Sequence, residues 1–224
     1  MKPLIKGVLF DLDGTLLDTA PDMALALNIQ RELHNLKPLA FSDVRPFVSH
    51  GALAMLKIGF GIIPSDKNFD AMREQYLHIY SENLAVKTTL FDGLEAFLKQ
   101  LKAQSIKWGI VTNKPAFLTQ PLVQALKLDQ SASSVISGDT IEPRKPNPAP
   151  LFAACKEAGL VPAQCIYIGD AERDIAAGRA AGMKTILANW GYITPQDSPE
   201  KWQADTSIEN STELADYFWQ NFSY

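Results

Sequence analysis

The stretch Val8-Leu9-Phe10-Asp11-Leu12-Asp13-Gly14-Thr15 decides how this chain folds. Its apolar residues predict a strand buried on both faces, and two carboxylates follow where that strand ends. In open α/β sheets, ligands bind at the carboxyl ends of strands. Asp-Gly alone is a common turn pair, so the acids gain meaning only if the chain elsewhere supplies a cation and donors for an anion.

Working outward, Thr19-Ala20-Pro21-Asp22 has the pattern of a helix start, with a capping Thr and an acid three residues on, and predicts a helix to about Leu36. From there to about Ala85 the pattern stays helical; Phe69, Met72, Tyr76, Ile79, Tyr80 and Leu84 fall on one face. Helices and strands then alternate, the signature of βαβ units. The helical stripe Leu94, Phe97, Leu98 and Leu101 leads to a strand over 106–111, which stops at Thr112-Asn113-Lys114-Pro115. A helix through Leu118, Leu122 and Leu126 is expected to break at Pro121. A short strand over 134–137 precedes a proline-rich loop, 142–148, which carries Lys145.

Leu151, Phe152, Cys155 and Ala158 predict another helix, closed by Gly159. The second core strand, 165–168, ends on Gly169-Asp170-Ala171-Glu172-Arg173-Asp174. A helix of small residues and a last strand over 184–188 follow, then loop, then a C-terminal helix near 212–221. The fold class is therefore α/β: a doubly wound parallel-sheet, Rossmann-like core over 1–17 and 88–224, with a small helical domain inserted over 18–87.

A formal charge of −4 and a pI near 5.4, with no basic run, argue against a nucleic-acid or anionic-membrane partner. No apolar run approaches the roughly 18 residues of a membrane span. Asp11, Asp13 and Asp18 break the apolar stretch that follows Lys2 and Lys6, which reads against a secretion signal and for a cytoplasmic protein. Cys155 and Cys165 read as two small buried hydrophobes rather than a disulfide. His34 and His78 read as structural, and Trp108, Trp190, Trp202 and Trp219 are too scattered for a stacking platform.

Four strand ends carry chemistry: Asp11 with Asp13, Thr112 with Asn113, Lys145, and Asp170 with Asp174. If the strands are parallel, all four loops share one edge of one sheet. Carboxylates brought together there repel unless a hard cation sits among them, and oxygen-only ligands suit Mg²⁺. With a lysine and neutral donors nearby, such a site is shaped for a phosphoryl group, and paired acids can divide nucleophilic attack from proton transfer.

In these motifs the chain resembles the haloacid dehalogenase superfamily, in its phosphoglycolate-phosphatase-like branch. DLDGT at 11–15, Thr112 after Ile-Val, Lys145 before Pro146 and GDAERD at 169–174 occur in the superfamily's order. The resemblance implies that Asp11 is the nucleophile and Asp13 the acid and base. Thr112, Asn113 and Lys145 would hold the phosphoryl oxygens. Asp11, Asp13 and Asp170 would bind Mg²⁺, with Asp174 beside them supporting the metal's waters or binding it. The helical block would be a cap whose segment 45–51 reaches into the site, with Arg45, Ser49, His50 and Gly51 as substrate-binding candidates.

The expected partner is a small phosphorylated metabolite, acted on by a monomer or homodimer. Phosphoglycolate leads; N-acetylmuramic acid 6-phosphate or another sugar phosphate is the alternative, followed by a β-phosphoglucomutase-like transfer. A dehalogenase is disfavoured because halide departure has no need of the acid Asp13 supplies. A regulator that only binds a phosphorylated ligand is disfavoured because no motif residue is missing.

Overall fold

The computed structural model describes residues 2–224. The chain enters through β1 (Gly7–Phe10), passes the acidic turn and makes a two-residue strand, β2 (Leu17–Asp18). Four helices follow, α1 (Ala20–Leu33), α2 (Phe41–Val44), α3 (Gly51–Phe60) and α4 (Phe69–Glu82), with a 3₁₀ segment over Arg45–His50. β3 (Thr89–Leu90) returns antiparallel to β2. The alternating part comprises α5 (Leu94–Ala103), β4 (Lys107–Val111), α6 (Ala116–Ala125), β5 (Val135–Ile136), α7 (Ala149–Ala158), β6 (Cys165–Gly169), α8 (Glu172–Ala180) and β7 (Lys184–Ala188). β8 (Thr206–Ile208) and α9 (Leu214–Asn221) close it.

The main sheet is parallel throughout, in the order β5-β4-β1-β6-β7-β8. The chain steps outward from β1 to β4 and β5, then crosses back to β6 on the other side of β1. That reversal makes β1 the switch point of the sheet, and the crevice beyond its carboxyl end is the place such folds offer to ligands. The acids of the opening motif sit in that crevice because of strand order.

β1 is buried on both faces, as its apolar run predicts. Val8 and Phe10 join a core with α5, α6 and α9, whereas Leu9 points to the opposite side, among α7 and α8. This is the period-two alternation of a strand between two helical layers. Leu94, Phe97, Leu98 and Leu101 are all buried. Gly178 is required where α8 crosses the sheet, since a Cβ there would crowd Thr185 and Tyr167. The helical block has its own core, including Met23, Leu27, Met55, Leu56, Tyr76 and Tyr80, to which Leu118 and Tyr192 of the sheet part contribute.

Several elements differ from the sequence expectations. α1 stops at Leu33 because Asn35 takes a left-handed φ of 58°. α6 runs through Pro121 without a break; the bond the proline cannot make would go to Phe117, a residue 53% exposed, where water can serve that carbonyl. Phe152 lies on the exposed side of α7, and Leu151, Ala154, Cys155 and Ala158 form its buried face. β8 was expected as loop: it is a three-residue edge strand with only Ile208 buried, too short to carry a periodic signal. Cys155 and Cys165 are free and buried, their Sγ atoms 3.8 Å apart.

The sharpest departure is at the start of α1. Thr19 does not cap the helix; its hydroxyl donates to Asp13 Oδ1 at 2.7 Å. Asp22, fully buried, instead receives the backbone N–H groups of Val86, Lys87 and Thr88 and the Thr88 hydroxyl. One carboxylate thus ties the chain's exit from the helical block to its entrance. Asp22→Ala strands those donors, and since each buried unmet donor costs about 1–3 kcal/mol, the expected loss is about 3 kcal/mol after partial rehydration. Urea unfolding followed by fluorescence checks this, with limited proteolysis at 86–88 reporting the loosened junction.

Candidate active site

Asp11 continues the β1 ladder, its N–H donating to Ile168 O at 2.8 Å, and the residue is 2% exposed. Lys145 Nζ reaches it from the proline-rich loop, donating to Asp11 Oδ1 at 2.9 Å, to Val111 O at 2.8 Å and to Tyr167 OH at 2.7 Å. The same ammonium lies 2.7 Å from Asp174 Oδ1. Asp174 Oδ2 accepts the N–H of Ala171, closing the first turn of α8. Asp174 therefore positions Lys145 and caps the start of its own helix, and both its oxygens are engaged.

Asp170 is arranged differently. Its Oδ2 accepts from Ser49 Oγ and the Tyr192 N–H, both at 2.8 Å. Its Oδ1 is buried with no hydrogen-bond partner among the described residues. Burial, then the charges of Asp11 and Asp174, push its carboxyl up to about 7. Asp174 is likewise raised, by burial and Asp11, with Lys145 and Arg173 opposing. Ligand oxygens of Asp11, Asp170 and Asp174 lie within 4.8 Å of one another. A buried acidic cluster with one orphaned oxygen and one lysine is short of positive charge, and an oxygen-preferring divalent cation fits it. Gly14 makes the approach possible: φ is 82°, and a Cβ would overlap Asp170 Oδ2.

Asp13 faces the helical block. Its Oδ1 accepts from Thr19 and, at 2.9 Å, from Lys114 Nζ, which also donates to Tyr80 OH of α4 at 2.8 Å. Sequence reading passed over Lys114 as part of a strand end; its one signal is a lysine two residues after Thr112 that folding buries. Thr112 is 3% exposed and accepts the Lys114 N–H, and Asn113 Nδ2 donates to Lys145 O at 3.0 Å.

Core and helical block enclose a cavity of about 710 Å³. Asp11, Asp13, Thr112, Asn113 and Lys145 line it from the sheet side, and Ser49, His50 and Gly51 from the helical side. Gly51 has a φ of 64° where the 3₁₀ segment turns into α3. Burial, then the nearby Arg173 charge, hold His50 below its ordinary value, so its imidazole is neutral at pH 7. Arg45 is not brought to this cavity. Its guanidinium donates to the carbonyls of Gly191 and Trp190, both at 3.3 Å, and lies 5.0 Å from the Tyr192 ring centre. Three other arginines do line the cavity: Arg73, Arg144 and Arg173.

A parallel sheet with an inserted helical block, whose switch point carries a buried aspartate, a lysine and an acidic cluster suited to a cation, is a site equipped to hold an anionic ligand. The chain belongs to the haloacid dehalogenase-like hydrolases, whose sequence profile matches residues 8–188. It is 42% identical to a phosphoglycolate phosphatase of Xanthomonas campestris pv. campestris, over 93% of this chain and 94% of that one. It is 39% identical to an N-acetylmuramic acid 6-phosphate phosphatase of Pseudomonas aeruginosa, over 95% of this chain and 94% of that one. A crystal structure described as a predicted phosphoglycolate phosphatase from Haemophilus somnus superposes with a TM-score of 0.81 at 28% identity, covering 95% of this chain and 97% of that one. No helix among the described residues is long and apolar enough to cross a membrane.

Proposed function

We propose that this enzyme is a Mg²⁺-dependent phosphatase that hydrolyses a small phosphomonoester through an aspartyl-phosphate. The observation that carries the reading is Asp11, buried at the floor of the cavity with Lys145 on one carboxylate oxygen and the acidic cluster beside it. The oxygen of Asp11 attacks phosphorus in line as the bond to the leaving oxygen breaks. Asp13 gives that oxygen its proton, then takes one from the water that attacks the aspartyl-phosphate, and phosphate leaves as Asp11 is regenerated. Lys145, Thr112 and the Asn113 backbone hold the phosphoryl oxygens. Asp11, the Asp13 carbonyl and Asp170 would hold Mg²⁺, which would offset the negative charge of the phosphoryl oxygens.

Residues 18–87 act as the cap that covers the reacting groups and keeps bulk water out. The two contacts from Asp13 to Thr19 and through Lys114 to Tyr80 support this, because they tie the acid and base to helices of that block. Among substrates, phosphoglycolate is favoured by the relatives that carry that name. N-acetylmuramic acid 6-phosphate is the second reading, favoured by the relatives named for it and by a cavity larger than a two-carbon acid fills. A panel of phosphate esters assayed with Mg²⁺ tests the proposal, and release of phosphate from none of them overturns it.

Arg45 contacts backbone carbonyls across the cap junction, so its role is to hold the cap rather than to read the substrate. Arg45→Ala is expected to lower kcat/KM by a similar small factor, about 2- to 5-fold, for p-nitrophenyl phosphate and for the preferred ester alike. Steady-state kinetics on both substrates checks this.

A further inference from the structure

Arg173 is the one cavity-lining arginine that is half-buried; Arg73 and Arg144 are exposed. It stands on the first turn of α8, between Asp170 and Asp174, and its Nη2 donates to the carbonyl of Ser49 in the cap at 3.0 Å. It forms no ion pair within 4 Å among the described residues, although a guanidinium offers five donors in a fork matched to two anionic oxygens. A guanidinium keeps its charge throughout the range in which proteins work. The result is a fixed, charged and under-used guanidinium beside the phosphoryl machinery.

Lys145 cannot serve a second anion. Its ammonium is already shared among Asp11, Asp174, Val111 O and Tyr167 OH, and its one remaining task is the phosphoryl group. His50, neutral and next to Arg173, adds a hydrogen-bonding group without competing charge.

We propose that Arg173 is the specificity-determining residue that pairs with a carboxylate of the substrate close to its phosphoester, so that phosphorylated short hydroxy acids are preferred over neutral or cationic phosphate esters. The proposal rests on the phosphatase reading above. Position argues for a near carboxylate: Arg173 lines the same cavity as Asp11, Asp13 and Lys145, and it immediately precedes Asp174 in the chain. A remote carboxylate, such as that of a phosphorylated sugar acid, would fall toward exposed Arg73 or Arg144 at the rim. Because Arg173 also holds Ser49, whose hydroxyl is bound to Asp170, a substrate carboxylate here would couple cap position to substrate charge.

The test uses esters matched in size and different in charge: phosphoglycolate, 2-hydroxyethyl phosphate and phosphoethanolamine, with p-nitrophenyl phosphate as a common reference. The parent enzyme is expected to rank them in that order of kcat/KM. In Arg173→Gln, kcat/KM for phosphoglycolate is expected to fall about 10- to 100-fold further than for p-nitrophenyl phosphate, mainly through KM, and Arg173→Lys recovers part of it. Calorimetric titration of phosphoglycolate into Asp11→Asn and into Asp11→Asn/Arg173→Gln reads binding apart from turnover and should show the same weakening.

An equal loss on all esters in Arg173→Gln, or a parent with no preference for the carboxylate, overturns the inference and leaves the phosphatase reading intact. So does a preference for N-acetylmuramic acid 6-phosphate over N-acetylglucosamine 6-phosphate that Arg73→Gln abolishes and Arg173→Gln does not. Hydrolysis of none of the esters overturns both. Should Arg173→Gln fail to fold, the charge ranking of the parent and the Arg173→Lys variant decide.

Discussion

Replacing Asp11 by asparagine is expected to lower kcat at least about 10⁴-fold for every phosphate ester, because the substitution removes the attacking oxygen's charge and leaves no group to take its place. The protein should nevertheless stay folded. Asp11 is one of three acids crowded around a single lysine, and its charge raises the carboxyls of both Asp170 and Asp174. Removing it relieves that repulsion, while Lys145 keeps Asp174 at 2.7 Å. The melting temperature at pH 7, without metal, should therefore be equal to or above the parent's, the stability cost of a working site being returned when the site is disabled. Acid-quenched parent enzyme should carry a phosphoryl adduct on the peptide containing Asp11, detectable by mass, and the variant none. Residual turnover within tenfold of the parent would remove Asp11 from its role.

The second large effect concerns the metal and pH together. Removing Mg²⁺ with a chelator is expected to abolish turnover, and chelator-insensitive hydrolysis would take the cation out of the account. Stability gives an independent reading. In the metal-free protein, burial followed by the charges of Asp11 and Asp174 raises the Asp170 carboxyl to about 7. An unfolded aspartate titrates near ~3.9, so between these values the folded state holds a proton that the unfolded state has released. The contribution of Asp170 is thus most favourable at low pH and is lost as pH rises through about 7, by on the order of a few kcal/mol.

Mg²⁺ requires the ionised carboxylate and restores what that ionisation costs. The rise in melting temperature on adding Mg²⁺ should therefore be larger at pH 8 than at pH 6. Asp170→Asn should lose most of this Mg²⁺-dependent rise and flatten the metal-free pH profile, while lowering kcat at least about 100-fold. Thermal melts with chelator and with Mg²⁺ at the two pH values check each part. A Mg²⁺ effect that is the same at both would mean that Asp170 does not titrate in this range.

Much of this was legible from residues alone. The runs at 8–10, 108–111 and 165–168 are apolar because the sheet buries them on both faces, and each gives way to a change of residue type at Asp11, Thr112 and Gly169. The stripe Leu94, Phe97, Leu98 and Leu101 declares α5 for the same reason. What escaped was whatever depends on pairing in space. β2, β3 and β8 have two or three residues each, and exist because a partner strand is there to bond them. Thr19 and Asp22 fit a local capping pattern; each is drawn to a partner outside the helix instead, Asp13 and the 86–88 backbone.

Two arginines show the limit most clearly. Arg45 lies in the helical block and Arg173 inside the 169–174 motif, and neither position tells what its guanidinium meets. Tertiary packing does: one guanidinium meets the carbonyls of Trp190 and Gly191 across the junction, and the other faces the cavity. The sequence by itself determined the family and which strand ends carry the acids, the threonine and the lysine, because those depend on residue type at strand ends. Tertiary structure alone decided which atoms are engaged and which are free. Asp174 has both oxygens committed, Asp170 has one orphaned, Lys114 is drawn to Asp13, and Arg173 is left with donors to spare. Charge balance and hydrogen-bond supply in a buried site are properties of neighbours in space, and strand order sets those neighbours.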